Sequence, residues 1–344
     1  MRTAVALSGG VDSAVAAALL KEQGIEPVGV HMRLVDRDDG GPASAVAERL
    51  GMKFHTVDLR AELEELVVAE FCREYSEGRT PSPCIRCNEL LKFGVLLERL
   101  QQFGCDRVGT GHHARVVKTD GRWCLRRGKD PGKDQSYFLY RLTQEQLDKV
   151  LLPVGEFTKD EVRSKARELG LEAAERPDSQ EICFVPDDNH ARFVEARCPE
   201  AFTPGPVKDA EGNVVGEHEG IPLYTVGQRK GIGIPFGERR YVIAVDARTN
   251  TVTVGPETQA RARVAELEQV HWVSGKAPAG EFTALVKVRN THLGGGATVI
   301  PAGADRAEVS FEEPQWALAP GQSAVFYEGD IVLGGGMIAA SRQQ

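Results

Sequence analysis

The chain has 344 residues, of which 41% are hydrophobic and 27% are charged, so it is long enough for two or three globular domains and excludes a disordered chain. No apolar run reaches transmembrane length and no secretory signal opens the chain, which together predict a cytoplasmic protein without membrane contacts. A net charge of −8 argues against a surface coated by nucleic acid, and seven cysteines, an odd number, argue against a disulfide scaffold.

The first predicted elements are a strand from Thr3 to Leu7 and a helix from Val11 to Gln23, joined by Ser-Gly-Gly-Val-Asp-Ser at 8–13. Glycines let a backbone approach a ligand closely, and the free N–H groups at a helix start attract anions. The loop is not a Walker A loop, because no lysine follows it, and its glycine spacing differs from the Rossmann fingerprint. The pattern predicts a phosphate or pyrophosphate site, and a Gly-rich helix start without a ligand is the alternative.

Segments of strand and helix length then alternate as far as residue 113. The expected strands are Pro27–Met32, Lys53–Val57 and Arg107–Thr110, and the expected helices are Ala43–Leu50, Ala61–Tyr75 and Asn88–Phe103. This alternation predicts a parallel sheet with helices on both faces. Ligands bind such sheets at the carboxyl ends of the strands, where the 8–13 loop and Gly111 would both lie.

The remainder of the chain no longer alternates regularly between predicted strands and helices. A hairpin is expected from Ala114 to Leu125 around Asp120-Gly121, followed by helices at Thr143–Val150 and Lys159–Leu169. From Phe202 onward short strands and Gly- or Pro-containing turns predict a small β module and then a β-barrel. The expected strands there are Tyr241–Val245, Thr251–Val254, Phe282–Val288, Ala307–Phe311 and Ser323–Tyr327. We therefore predict an α/β domain at 1–200, a central β domain at 201–258 and a barrel at 259–344.

Positive charge concentrates between residues 107 and 133, where eight basic residues stand against two acidic ones. The basic residues are Arg107, Arg115, Lys118, Arg122, Arg126, Arg127, Lys129 and Lys133. Such a stretch can bind the phosphates of a nucleic acid, and a solvated hairpin is the alternative.

Cysteines recur at positions that suggest thiol chemistry. Cys84 and Cys87 form a Cys-x-x-Cys pair after a Pro-rich loop and at the start of a helix, a position that is expected to lower the pKa of Cys87. A zinc ribbon needs a second such pair, which the sequence lacks. A pair of structural thiols is the alternative, and Cys183 taken alone is typical of a buried cysteine.

Taken together, these motifs resemble the tRNA-specific 2-thiouridylase (MnmA/TrmU) family of the ATP-pyrophosphatase (PP-loop) superfamily, over nearly the whole chain. Besides the 8–13 motif, the matching segments are Gly78-Arg-Thr-Pro81, Cys87-Asn88, Lys92-Phe93, Thr110-Gly-His112, Lys133-Asp-Gln-Ser-Tyr-Phe-Leu-Tyr140, Asp178-Ser179, Ile182-Cys-Phe184, Gly227-Gln-Arg-Lys-Gly-Ile-Gly233, Pro320-Gly-Gln-Ser-Ala-Val-Phe-Tyr327 and Leu333-Gly-Gly-Gly336. The resemblance implies an α/β domain with a parallel sheet of the adenine-nucleotide α-hydrolase type, followed by the β module and the barrel, and it makes the first of them, at 1–200, the ATP-binding catalytic domain.

The resemblance also implies an activity, the ATP-dependent 2-thiolation of the wobble uridine of tRNA. ATP and Mg²⁺ would serve the reaction, and the uracil C2 oxygen would be adenylated. Sulfur would arrive as a persulfide on Cys183 from a sulfur-relay protein or cysteine desulfurase, and Cys87 would complete the transfer. The enzyme would be a monomer when free.

The same resemblance assigns binding residues. Those for ATP are Ala6, Leu7, Ser8, Gly9, Gly10, Val11, Asp12, Ser13, Met32 and Gly111. Those for tRNA are His112, Lys133, Asp134, Gln135, Arg289, Asn290 and Gln322.

Two departures from the family pattern leave alternatives open. The segment after Met32 is short, so the contribution of the loop that many members carry there is in doubt. Cys84 stands where some members have Asp, so Cys84, Cys87 and Cys183 could ligate a [4Fe-4S] cluster that delivers sulfide instead of a persulfide. Two further readings are another PP-loop ATP-pyrophosphatase, amidating or 4-thiouridine-forming, and an RNA-binding protein with a degenerate loop and a structural metal at Cys84 and Cys87.

Overall fold

The computed structural model describes residues 2–171, 174, 182–187, 189–234 and 237–343. Asp178 and Ser179 of the matching segments lie outside these described residues. No helix in the described ranges is long and apolar enough to span a membrane.

A five-stranded parallel sheet organises the N-terminal part of the chain, in the order β3-β2-β1-β4-β7. Its strands are β1 (Thr3–Ala6), β2 (Val28–Arg33), β3 (Phe54–Asp58), β4 (Arg107–Gly109) and β7 (Val150–Leu151). Strand β1 lies in the middle and alternates between the two faces: Ala4 and Ala6 belong to one hydrophobic cluster, and Val5 and Leu7 to the other. The predicted parallel sheet, buried on both faces, is confirmed.

Helices cover both faces of this sheet. One side carries α1 (Val11–Glu22), α2 (Gly41–Arg49) and α8 (Lys159–Glu168). The other side carries two long helical segments, at 60–76 and 83–103. The first consists of α3 (Arg60–Leu63), a π-helical segment (Glu64–Val68) and α4 (Ala69–Ser76). The second consists of α5 (Pro83–Arg86), a π-helical segment (Cys87–Val95), α6 (Leu96–Leu100) and a 3₁₀ turn (Gln101–Phe103).

Two boundaries differ from the prediction for physical reasons. The helix expected from Asn88 begins at Pro83, because proline at the first helical position lacks only an N–H that would have no partner there. Val150, expected in a helix, begins β7 because Val108 of β4 offers it a parallel partner. The preceding helix α7 (Gln144–Lys149) and helix α8 each start with a Thr capping box.

The predicted hairpin forms from β5 (Ala114–Thr119) and β6 (Arg122–Arg127). Asp120 and Gly121 both have positive φ, as a two-residue hairpin turn of the primed type requires. The hairpin does not stand free in solvent, because Arg126 of β6 pairs with Ile331 in the C-terminal barrel.

After α9 (His190–Glu195), the middle of the chain forms a four-stranded sheet in the order β10-β11-β8-β9. Its strands are β8 (Gly205–Lys208), β9 (Val214–His218), β10 (Tyr241–Asp246) and β11 (Thr251–Gly255). They enclose a small apolar core of their own.

Six antiparallel strands form the C-terminal barrel, which closes where β12 pairs with β17. The strands are β12 (Arg261–Trp272), β13 (Phe282–Lys287), β14 (Gly295–Pro301), β15 (Ala307–Trp316), β16 (Ser323–Glu328) and β17 (Ile331–Arg342). Ala324 and Phe326 of β16 fill the barrel, whereas Val325 and Tyr327 point outward into the core of the N-terminal domain. The predicted order of α/β domain, β module and barrel is confirmed.

Candidate functional site

The loop at 8–13 is closed on itself by its two serines. The Ser13 hydroxyl donates to the carbonyl of Gly10 at 3.0 Å and accepts from the N–H of Ser8 at 3.2 Å. Gly10 is the N-cap residue of α1 and has no side chain with which to cap it. The first N–H groups of the helix are therefore directed toward the mouth of the loop, where they can donate to an anion.

Two glycines of this site are required by close approach of the backbone. Gly9 has φ +77° and lies against Pro42, so a side chain there would be strained and would clash. A Cβ on Gly111 would come within 2.6 Å of the N atom of Ser13 and the carbonyl carbon of Asp12. The turn after β4 thus packs directly on the start of α1, as predicted for the carboxyl ends of the strands.

The carboxylate of Asp12 is held by two basic side chains. Lys159 Nζ donates to both of its oxygens at 2.8 and 2.7 Å, and His113 Nε2 lies 2.9 Å from Oδ1. Burial acts to raise the pKa of Asp12, but the hydrogen bonds and charges of His113 and Lys159 outweigh it and lower the pKa. Asp12 is therefore ionised at neutral pH and fixes the position of a buried lysine at the loop.

The segment Lys133-Asp134-Gln135 lies beside this cluster, but its three side chains have different environments. Gln135 Oε1 accepts from the N–H of His113 at 2.8 Å. The Asp134 side chain is buried and accepts from the N–H groups of Gly128 and Ser136 and from the Ser136 hydroxyl. These contacts make Asp134 a residue that shapes the segment from inside, whereas Lys133 and Gln135 are both half-buried.

The cysteines converge on the second long helix. Cys87 is buried; Cys84 and Cys183 are exposed as whole residues, but protein atoms surround their thiols closely enough to desolvate them. Desolvation raises the pKa of Cys87, and desolvation together with the nearby Cys87 raises that of Cys183 to about 11. The expected lowering of the Cys87 pKa is wrong, because Cys87 is the fifth residue of the continuous helix that begins at Pro83 and is sealed from water.

Lys92 is a positive charge shared by this group. Lys92 is five positions after Cys87, the i→i+5 spacing of a π-helix, so the π-helical segment brings both to one side. The Lys92 charge acts to lower the pKa of Cys84, Cys87 and Cys183, against their desolvation. Among the described residues, no group of three or more His, Cys, Asp or Glu side chains is arranged to hold a metal ion.

The short segment after Met32 contacts the segment that carries Cys183. Arg37 Nη2 donates to the carbonyl oxygen of Cys183 at 3.2 Å. Met32, Leu34 and Val35 pack against the hydrophobic cluster that contains Ala4 and Ala6 of β1. The shortened loop thus supports the Cys183 segment.

His112 lies between the loop at 8–13 and the helix that carries Cys87. Its Nδ1 lies 2.8 Å from the hydroxyl of Thr110, and its ring packs on Phe93 with centroids 5.7 Å apart. Burial, then the charges of Lys92 and His113, hold the pKa of His112 well below its usual value, so the ring is neutral at pH 7.

The predicted barrel residues lie apart from the loop. Gln322 donates to the carbonyl of Thr80 at 2.8 Å, at the junction with the N-terminal domain. Arg289 and Asn290 follow the end of β13, and Asn290 Oδ1 is buried without a partner among the described residues.

Sequence reasoning missed Lys159, His113 and Arg37 at this site. Lys159 is 147 residues from Asp12 and looks like an ordinary helix-start residue, so no local pattern marks it. His113 was adjacent to a predicted residue, and only the turn after β4 decides that it faces Asp12.

Three family models match successive parts of the chain. A tRNA methyl transferase HUP domain matches residues 1–187, a tRNA methyl transferase PRC-barrel domain matches 191–256, and an aminomethyltransferase β-barrel domain matches 263–338.

Relatives match over nearly the full length. A protein of Heliobacterium modesticaldum named tRNA-specific 2-thiouridylase MnmA is 45% identical over 97% of this chain and 91% of its own length. Proteins of the same name from Geobacter metallireducens and Clostridium perfringens are 45% and 43% identical, over 99% and 98% of this chain and 97% and 98% of their own lengths.

Proposed function

The chain belongs to the tRNA-specific 2-thiouridylase family of PP-loop enzymes, and we propose that it thiolates the wobble uridine by adenylating the uracil C2 oxygen and transferring sulfur from a cysteine persulfide. The family establishes a tRNA sulfurtransferase that binds ATP. The order of steps and the role of each residue are the proposal.

One observation supports it above the others. The turn 111–113 contacts the ATP loop on one side, through Gly111 against Ser13 and His113 against Asp12. On its other side His112 packs on Phe93 of the helix that carries Cys87. A nucleotide at the loop and a sulfur at the thiols would therefore meet at this turn, as adenylation followed by sulfur transfer requires.

In the first step the uracil C2 oxygen attacks the α-phosphorus of ATP, and pyrophosphate leaves. The backbone N–H groups at the start of α1 and the ammonium group of Lys159 would stabilise the charge on the departing phosphates. The C2 oxygen is then bound as an AMP ester, a good leaving group. Because a base within the anticodon stack cannot reach the loop, the uridine must be flipped out.

In the second step the terminal sulfur of a Cys183 persulfide attacks C2 and AMP departs. The Cys87 thiolate then attacks the Cys183 sulfur, which breaks the S–S bond, leaves sulfur on C2 and forms a Cys87–Cys183 disulfide. A thiol reductant must supply two electrons to restore both thiols for the next turnover.

Mg²⁺ and an iron–sulfur cluster have different support. Asp12, the carboxylate in the loop, is already occupied by Lys159 and His113, so Mg²⁺ would be carried by the ATP phosphates rather than by this residue. A cluster does not fit the described arrangement of thiols, and no step is derived through one.

The proposal also includes a persulfide-donating sulfur-relay protein or desulfurase, a free monomer and a cytoplasmic location. It includes the domain boundaries 1–200, 201–258 and 259–344.

The test is formation of 2-thiouridine in tRNA, followed by mass spectrometry of digested tRNA, with ATP and a persulfide donor. Asp12→Ala and Ser13→Ala should abolish thiolation and release of pyrophosphate while tRNA affinity stays within about twofold, because neither faces RNA in this proposal. Asp106→Ala removes an exposed carboxylate just before β4 and is the matched control, expected to be fully active. Full activity of Asp12→Ala and Ser13→Ala would contradict the proposal.

A further inference from the structure

A lysine is buried where the barrel meets the N-terminal domain. Lys287 ends β13, and its side chain lies on the same face as Val325 and Tyr327, because Lys287 pairs with Val325, and Leu285 with Tyr327, across the two strands. That face is the one packed on the core of the N-terminal domain. Lys287 is 8% exposed, an uncommon position for a lysine.

A second cation lies next to it. The guanidinium group of Arg127, at the end of the β5–β6 hairpin, stacks over the Tyr327 ring at 4.1 Å. Its Nε and Nη2 atoms are buried and have no acceptor among the described residues. Arg127 thus lies on the face of the Tyr327 ring, and Lys287 is the diagonal neighbour of Tyr327 on the paired strand.

The surroundings provide too few acceptors for these donors. Asp134 is the carboxylate whose negative charge acts on Lys287. It already accepts three hydrogen bonds, from the Gly128 N–H and from the N–H and hydroxyl of Ser136. The Lys287 ammonium group makes no hydrogen bond or ion pair within the described ranges. Burial, with the charge of Arg127, lowers the pKa of Lys287 against the opposing effect of Asp134. The buried Arg127 donors lack acceptors, which is costly, and with the charge of Lys287 beside them they favour an anion at this place.

We propose that Lys287 and Arg127 form a binding site for one phosphate group between the N-terminal domain and the barrel, and that a backbone phosphate of tRNA occupies it. A phosphate offers acceptors to both cations at once. The ATP phosphates have their own loop at 8–13, and Arg289 and Asn290, the proposed tRNA residues, lie two and three positions after Lys287. The choice of RNA over a free anion rests on the proposed function.

The first experiment measures tRNA affinity as a function of salt for the full chain, for Lys287→Met and for Lys276→Met. Lys276 is an exposed lysine of the same barrel and is the matched control. Lys287→Met should bind about 3–10-fold more weakly near 150 mM salt, and its slope of log affinity against log salt should be shallower by about one. An unchanged slope, or an equal loss in Lys276→Met, would overturn the proposal.

The second experiment uses inorganic phosphate alone and needs neither tRNA nor catalysis. Phosphate should raise the melting temperature of the wild-type protein above that in chloride at equal ionic strength, and the rise should be smaller in Lys287→Met, which keeps the anion-binding loop at 8–13. If Lys287→Met does not fold, Arg127→Met serves the same comparison. An equal response of wild type and variant would exclude the anion site even if thiolation is confirmed.

Weaker ATP binding by Lys287→Met, with unchanged tRNA binding, would assign the phosphate to the nucleotide and overturn the assignment to RNA. A phosphate response in a protein that fails to thiolate tRNA would instead support the anion site and reject the proposed function.

Discussion

At the scale of single residues, the site consists of reactive groups that their neighbours hold in chosen protonation states. Asp12 is kept ionised by Lys159 and His113, whereas the thiols of Cys87 and Cys183 are kept protonated by desolvation. A thiolate is the reactive form of cysteine, so in the proposed mechanism both thiols are weakly reactive in the free enzyme. Substrate or donor binding must supply the charge that favours the thiolate, and Lys92 is the nearest source within the described residues.

The pH dependence of Cys183 alkylation checks this directly. Because the Cys183 pKa is about 11, the thiolate fraction and the alkylation rate should rise about tenfold per pH unit between pH 7 and 10. The measurement is the rate of iodoacetamide labelling of the Cys183 peptide by mass spectrometry, with a free cysteine derivative of pKa about 8.5 as the reference. A plateau of the Cys183 rate below pH 9 would contradict the assignment.

Cys84 distinguishes the persulfide scheme from the cluster scheme. In the persulfide scheme Cys84→Ser should retain a large part of thiolation activity in aerobic protein with a persulfide donor, while Cys87→Ser and Cys183→Ser lose it. If a cluster operated, serine would replace a thiolate ligand, and Cys84→Ser would lose iron, colour and activity together. The three variants are assayed in parallel, aerobically with the donor and anaerobically with sulfide after iron reconstitution. Activity found only in the iron-loaded wild-type protein would favour the cluster scheme over the persulfide scheme.

At the scale of elements, the hairpin β5–β6 is the part whose environment most differs from the prediction. Arg115 pairs with Asp330 of the barrel at 2.7 Å, so part of the basic stretch joins the two domains, and Lys129 pairs with Glu161 within the N-terminal domain at 3.0 Å. The start of the hairpin is also pressed against the turn at 153–156, where a Cβ on Gly155 would come within 2.6 Å of the carbonyl carbon of Ala114.

Gly155→Ala should therefore destabilise the protein by about 1–3 kcal/mol, because the added methyl group forces the turn and the hairpin apart. The measurement is the urea midpoint of unfolding. Gly280→Ala adds the same methyl group in open space and should change stability by less than about 0.5 kcal/mol. Equal midpoints for Gly155→Ala and wild type would show that the turn adapts without cost.

At the scale of the whole molecule, the barrel and the N-terminal domain share one buried interface. Tyr137 donates its hydroxyl to the carbonyl of Ser323 at 2.8 Å, and the Tyr140 hydroxyl lies 3.2 Å from the Ser323 hydroxyl. Val325 and Tyr327 of the barrel belong to the hydrophobic cluster of the N-terminal domain. The barrel thus supports the 133–140 segment, which borders the ATP loop through Gln135 and His113.

Tyr137→Phe tests this interface. The change leaves the buried carbonyl of Ser323 without that donor and should cost about 1 kcal/mol. The readout is the urea midpoint, with tRNA affinity measured alongside it. Tyr241→Phe removes the hydroxyl of a buried tyrosine whose side chain makes no hydrogen bond in the described part of the chain, and it should be nearly neutral. Identical midpoints for both variants would exclude a role for this hydrogen bond in joining the domains.

Much of the fold could be predicted because it depends on local patterns. The alternation of β1 to β4 with helices, the Asp120-Gly121 turn and the glycines of the 8–13 loop each follow from spacing, apolar periodicity or a required positive φ. Strand β14 escaped prediction although Thr298, Val299 and Ile300 are β-branched, because its Gly295-Gly296 start gives no strand signal and the strand is held by pairing with β13 and β15.

The sequence by itself determined the order of domains, the family, the ATP loop and the identity of the two thiols proposed to carry sulfur. Only the tertiary structure decided the electrostatics: that Lys159 and His113 hold Asp12, that Cys87 is desolvated, and that Lys287 and Arg127 converge on Tyr327. The reason is physical. Periodicity and turn chemistry act between residues near in sequence, whereas the pKa of a group depends on burial and on charges that the fold brings together from distant parts of the chain.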